Sequence, residues 1–128
     1  MFLEHVNLTV SDLDRSIAFY ARLFGGHVRW RRDATDDVPA AAHVGSDRQY
    51  VALFQARAGS PRPTVDYAAV GLNHFGVVVD DLDAARARLE SLGVSAHSEA
   101  DYDPGRRLYF YDPDGIEVEL VEYERVEV

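Results

Sequence analysis

No cysteine occurs among the 128 residues, which removes disulfides, thiolate nucleophiles and sulfur-ligated metal sites together. Any metal site must therefore draw on nitrogen and oxygen. Basic side chains are in short supply, 13 against 22 acidic, leaving a formal charge of −9. A surface that negative repels phosphate backbones and anionic headgroups, so neither nucleic acid nor a membrane surface is expected as a partner. No apolar stretch approaches the ~20 residues of a membrane span. The opening MFLEHV has neither the basic region nor the apolar run of an export signal. The expectation is a cytoplasmic protein whose partner is a small molecule.

What is present suffices for one packed domain, since 47% of the residues are hydrophobic. The chain also repeats itself. EHVNLTVSDLDRSIAFYARLFGG, beginning at Glu4, is echoed by LNHFGVVVDDLDAARARLESLGV, beginning at Leu72. His5 falls over His74, and Asp12-Leu13-Asp14 over Asp81-Leu82-Asp83, at one offset of 69 residues. Each copy opens as a strand with period-two alternation and passes through an acidic turn into a helix.

Ser11 with Asp14 reads as a capping-box-like start in the first copy, and Asp80 as the cap in the second. Leu13, Ile17, Tyr20 and Phe24, and then Leu82, Ala85, Leu89 and Leu92, form apolar helical stripes stopped by Gly25-Gly26 and Gly93. HVRWR (27–31), AAHVG (41–45) and RQYVALFQ (48–55) read as strands, as do VSAHSE (94–99), RLYFY (107–111) and IEVELVEYE (116–124), with YDPDG (111–115) a turn. The predicted fold class is α+β, two βαβββ modules over about 1–57 and 67–128, joined by a Pro/Gly/Ser-rich linker at about 58–66.

Strand parity puts His5 on one face with Asn7 and Thr9, and His74 with Gly76 and Val78. On the final strand it groups Glu117 with Glu119. If each module is a curled sheet with its helix outside, the inner faces carry two histidines and a carboxylate. Two imidazoles and one carboxylate with open positions form the facial triad suited to Fe(II) and acceptable to Mn(II), Ni(II) or Zn(II). Tyr50 and Phe54 share the inward parity and, with Asn7, are candidate pocket residues. His27, His43 and His97 show no such pairing and read as structural or surface residues. Glu122, Glu124 and Glu127 read as a solvated acidic tail.

EHVNLTVSDLDRSIAFY, LNHFGVVVDDLDAA and YDPDGIEVELVE resemble the vicinal oxygen chelate superfamily, which holds glyoxalase I, fosfomycin-resistance thiol transferases, methylmalonyl-CoA epimerase, extradiol dioxygenases and bleomycin-resistance proteins. The resemblance spans nearly the whole chain. It implies a cupped mixed sheet built from the two modules, helices outside, commonly in a homodimer, with His5, His74 and Glu119 at the metal-ligand positions. Ala52 stands where four-ligand members carry a Glu or Gln, so three-ligand chemistry is implied. LYFYDPDGIEVE (108–119) resembles the extradiol dioxygenase signature and implies a substrate-side role for Tyr109. The histidine which that signature places a few residues earlier is replaced by Ala100-Asp101-Tyr102, with His97 further upstream.

The resulting expectation is a metal-dependent enzyme, dioxygenase-like or lyase/isomerase-like, on a small substrate that chelates through adjacent oxygens. Fe2+ or Mn2+ is favoured, with Zn2+ or Ni2+ as alternatives. A second reading, from the acidic surface and the inward aromatics Tyr50, Phe54 and Tyr109, is a non-catalytic protein that sequesters a cationic drug of the bleomycin type.

Overall fold

The computed structural model describes residues 1–61 and 64–124. Arg62 and Pro63 of the expected linker, and Glu127 of the expected tail, lie outside the described residues. The chain divides into two compact units after Pro61. The first runs β1 (His5–Val10), α1 (Leu13–Phe24), β2 (His27–Arg32), β3 (Ala41–Gly45) and β4 (Tyr50–Gln55). The second repeats the order as β5 (His74–Val78), α2 (Leu82–Ser91), β6 (Ser98–Tyr102), β7 (Gly105–Tyr111) and β8 (Glu117–Tyr123). Each unit forms one mixed four-stranded sheet with the chain's first strand of that module on an edge, in the orders β1-β4-β3-β2 and β5-β8-β7-β6.

Alternation makes one face of each sheet apolar. Leu8 and Val10 of β1 are buried while His5, Asn7 and Thr9 are exposed. Helix α1 covers the apolar side with Leu13, Ile17, Phe19, Tyr20 and Leu23. Tyr20, Leu23, Val44 and Leu53 are essentially inaccessible, so truncating either leucine to alanine is expected to cost about 2–5 kcal/mol. Leu82, Ala85 and Leu89 do the same work in α2 against Leu108, Leu120 and Val118. Phe24, expected in the first stripe, is only half-buried, because it is the last helical residue before Gly25 turns the chain at φ 66°.

The helix caps differ from expectation by one residue. Asp12 and Asp81, in place of Ser11 and Asp80, accept from the backbone N–H groups of Arg15 and Ala84 at 3.1 and 3.0 Å. Starting there puts Leu13 and Leu82 in the first turn, where both are buried. A second acceptor reaches each helix start from the sheet. Gln55 Oε1 takes the Leu13 N–H at 2.9 Å and Glu122 Oε1 takes that of Leu82 at 3.1 Å. Glu122, which also receives Arg106 at 3.2 Å, is thus a structural cap and not part of a solvated tail.

Strand β6 starts at Ser98, four residues later than the expected 94, because Tyr102 pairs with Gly105 across Asp103-Pro104 and that turn sets the register back to Ser98 against Tyr109. The turn before β8 is as expected: Asp112 accepts from the N–H groups of Asp114 and Ile116, both at 2.9 Å. Its closure delivers Glu117 to the start of the strand. No helix among the described residues is long and apolar enough to cross a membrane.

Candidate metal centre

Register determines which side chains meet. In the parallel pair β5·β8, His74 faces Glu117 and Gly76 faces Glu119, while antiparallel β7 sets Tyr109 against Glu119. His74, Glu117, Glu119 and Tyr109 therefore share one face. Glu117 is 6% exposed, a depth at which a carboxylate must be hydrogen-bonded.

It is, and the bonds have one consistent polarity. Ser98 Oγ lies 3.0 Å from His97 Nδ1, and His97 Nε2 lies 2.9 Å from Glu117 Oε2. The Tyr67 hydroxyl donates to Glu117 Oε1 and lies 2.9 Å from His74 Nδ1. A phenol has one proton. Having given it to Glu117, Tyr67 accepts from His74 Nδ1–H, which makes Nε2 the acceptor nitrogen of the neutral ring. Opposite stands Glu119 Oε1 at 3.1 Å. Arg107 Nε holds the other oxygen, Glu119 Oε2, at 2.8 Å. Two acceptor lone pairs 3.1 Å apart call for a proton or a cation between or beside them.

The donor pair fits a metal. Two ligand atoms at right angles on a first-row ion with bonds near 2.1 Å lie about 3 Å apart. A ligating imidazole normally donates its other nitrogen to a fixed partner, and the carboxylate is normally pinned on its free oxygen; Tyr67 and Arg107 supply these supports. Among the described residues no group of three or more His, Asp or Glu side chains is arranged to hold a metal ion. Of the expected ligands, His74 and Glu119 are the two that the second module brings together.

Tyr109 lies beside this pair, its ring edge-on to His74 at a centroid distance of 5.7 Å. Burial first, and then the Glu119 charge and hydrogen bond, push its phenol above the ordinary value, so it keeps its proton. The Tyr67 phenol is pushed up to about 12, chiefly by its hydrogen bond to Glu117. Both are proton donors at neutral pH.

The other candidates lie in the first module. His5, on β1, is 42% exposed in its side chain and holds Glu4 Oε1 with Nδ1 at 2.9 Å, leaving Nε2 available in the same way as in His74. That bond, followed by one from the Tyr50 hydroxyl, keeps the Glu4 carboxyl below its ordinary range. Asn7 pairs with Ala52, His5 with Tyr50 and Thr9 with Phe54 in register, so Asn7, Tyr50 and Phe54 share the His5 face. Ala52 is the register counterpart of Glu119, and Gln55 is committed to capping α1.

Glu117, Arg107, His97 and Tyr67 take part in this network and were not among the sequence candidates for the site. His97 belongs to it through Glu117, and its ring stacks on Tyr111 at 4.5 Å. The available signal was the Asp-Pro-Gly turn at 103–105, which sets the β6·β7 register. Tyr67 stands in an irregular segment before β5, where no periodicity marks it.

A doubled βαβββ chain with a histidine–carboxylate pair on one face of its second sheet defines a structural class. This chain belongs to the Glyoxalase/Bleomycin resistance protein/Dioxygenase superfamily, whose model matches residues 2–120. It is 32% identical over 123 residues to the glutathione transferase FosA of Serratia marcescens, covering 92% of this chain and 78% of that one. It is 29% identical over 121 residues to the catechol-2,3-dioxygenase of Bacillus subtilis (strain 168), covering 92% of this chain but 40% of that protein. A glyoxylase/bleomycin resistance protein/dioxygenase domain from Frankia sp. EAN1pec shares the fold, with a TM-score of 0.80, 24% identity, and coverage of 99% and 95% of the two chains. The relatives thus include a transferase and a dioxygenase.

Proposed function

We propose that the protein is a divalent-metal-dependent enzyme in which His74, Glu119 and His5 hold the ion and a small substrate binds it through adjacent oxygens. The observation that carries this reading is His74 Nε2 placed 3.1 Å from Glu119 Oε1, each supported from behind by a group that fixes its orientation. An ion there would polarise a substrate oxygen and template its orientation. Fe2+ or Mn2+ suits two imidazoles and one carboxylate, and Zn2+ or Ni2+ is compatible with the same donors.

The chain's own groups have separable tasks. Arg107 pins one Glu119 oxygen so that the other stays presented. Tyr67 fixes the His74 tautomer and, through Glu117, links it to His97. Tyr109 holds a proton beside the site and donates it to developing negative charge on the substrate. Asn7, Tyr50 and Phe54 line the first module's face as substrate contacts. Dioxygenase-like or lyase/isomerase-like chemistry uses these parts, in a homodimer.

The cation-sequestering alternative has less support. Two of the rings it relies on already carry cations, with the Arg29 guanidinium 4.4 Å from the Tyr50 centroid and Arg32 5.8 Å from that of Phe54. Calorimetric titration with Mn2+ tests the metal reading. The intact protein binds one ion per chain, and His5→Ala, His74→Ala and Glu119→Ala each lose roughly 100-fold or more in affinity. Unchanged affinity in all three folded variants sinks the assignment.

A further inference from the structure

The first module's sheet carries a row of rings from all four strands. Trp30 lies 4.6 Å from His43, His43 4.4 Å from Tyr50, and Tyr50 4.8 Å from His5, the last two contacts being stacked. Two guanidinium groups lie on the row. Arg29 is 4.4 Å from the centroid of Tyr50, and Arg32 is 5.5 Å from that of Trp30 and 5.8 Å from that of Phe54.

Among the described residues neither Arg29 nor Arg32 has a carboxylate at ion-pair distance. Arg32 is fixed by the Pro39 carbonyl, which accepts from its Nε at 3.3 Å and its second amino group at 2.9 Å. Arg31, between them in the same strand, pairs with Asp14 at 2.7 Å. In the second module Arg86, Arg106 and Arg107 all hold carboxylates. Acids are abundant in a chain of net charge −9, and Glu4, which feels the Arg29 charge, is held by His5 and the Tyr50 hydroxyl and not by either guanidinium group.

Guanidinium groups set on an aromatic floor, with no ion pair of their own among the described residues, are complementary to a flat anion. The planar guanidinium fork takes a carboxylate edge-on, while the ring conjugated to that carboxylate lies coplanar with it and contacts aromatic surface. Trp30, 40% exposed, offers that surface. The same charges turn away cations.

We propose that this face of the first module is a binding site for a planar organic anion, an aromatic or conjugated carboxylate. The site needs no metal in the second module. The test uses the full-length protein stripped of divalent ions, titrated with benzoate by calorimetry and by the fluorescence of Trp30, the sole tryptophan. Benzoate is expected to bind about tenfold more tightly than neutral benzamide, non-planar cyclohexanecarboxylate or cationic benzamidine. The Arg29→Gln/Arg32→Gln variant and, by calorimetry, Trp30→Leu lose most of that affinity while His74→Ala keeps it. Should Arg32→Gln fail to fold, Arg32→Lys retains charge but not the fork, and still weakens benzoate. Benzoate binding that is undetectable, is matched by benzamide, cyclohexanecarboxylate or benzamidine, or is unaltered in the folded arginine variants, overturns the proposal. Failure here leaves the Mn2+ titration untouched, and the reverse also holds.

Discussion

The two modules share a backbone plan and differ in what they mount on it. Register gives the correspondence: His5 with His74, Asn7 with Gly76, Tyr50 with Glu117, Ala52 with Glu119, His43 with Tyr109 and Ala41 with Arg107. The second module carries an ion pair, Arg107–Glu119, where the first carries two buried alanines. Where Glu117 organises hydrogen bonds in one, Tyr50 stacks between two imidazoles in the other. Small and large trade places as well, since Asn7 faces Ala52 while Gly76 faces Glu119. The lesson is that duplication preserves the scaffold, caps included, while the open faces diverge into an ionic one and an aromatic one.

The largest expected effect follows from removing the carboxylate that only the second module has. Glu119→Ala should lower divalent-metal affinity by roughly 100-fold or more, measured by calorimetry. Its mirror image, Ala52→Glu, puts a charge at a position 2% exposed with Ala41 where Arg107 would be needed, and is expected to destabilise by about 3 kcal/mol or more without creating a site.

Breaking the ion pair from its other side comes next. Arg107→Leu leaves Glu119, a side chain only 14% exposed, without its partner and should cost about 3 kcal/mol in urea unfolding. Metal affinity should fall with it by about tenfold or more. The shared scaffold is probed more gently by the caps. Gln55→Leu and Glu122→Leu each strip an acceptor from a helix start and should cost a similar amount, about 1–2 kcal/mol. A markedly unequal pair of values would break the symmetry argued for the two helices.

The smallest effect is electrostatic and confined to the second module. Arg86, and then Arg106, hold the Asp83 carboxyl below its ordinary value near 3.8. The folded state therefore binds that proton less readily than the unfolded chain. The stabilisation is present above the unfolded value and is lost as pH falls through the lowered one. Asp83→Asn should make the melting temperature less sensitive to acid below about pH 4, and Asp14→Asn in the first module serves as the comparison.

Much of this was legible from residue order alone. The repeat offset pointed to the doubled βαβββ order, period-two alternation separated the His5 face from Leu8 and Val10, and the same parity put Glu119 with His74. The helix starts were read one residue early because tandem acceptors, Ser11-Asp12 and Asp80-Asp81, leave the choice to whichever start buries Leu13 and Leu82. His97 escaped because its neighbours are set by the turn at 103–104 and not by its own strand pattern. Tyr67 and the Arg29 and Arg32 contacts escaped for another reason: each depends on a long side chain reaching across the sheet or from an irregular segment, which periodicity does not encode. Even Glu122 changes meaning once Leu82 is seen to need an acceptor.

The most direct test of the central claim is the metal content of the protein, expressed without a histidine tag, purified anaerobically without added metal and measured by elemental mass spectrometry. The account predicts about one divalent ion per chain, iron or manganese ahead of zinc or nickel, and its loss in Glu119→Ala. A folded protein that carries no divalent metal and takes none up on titration would contradict it.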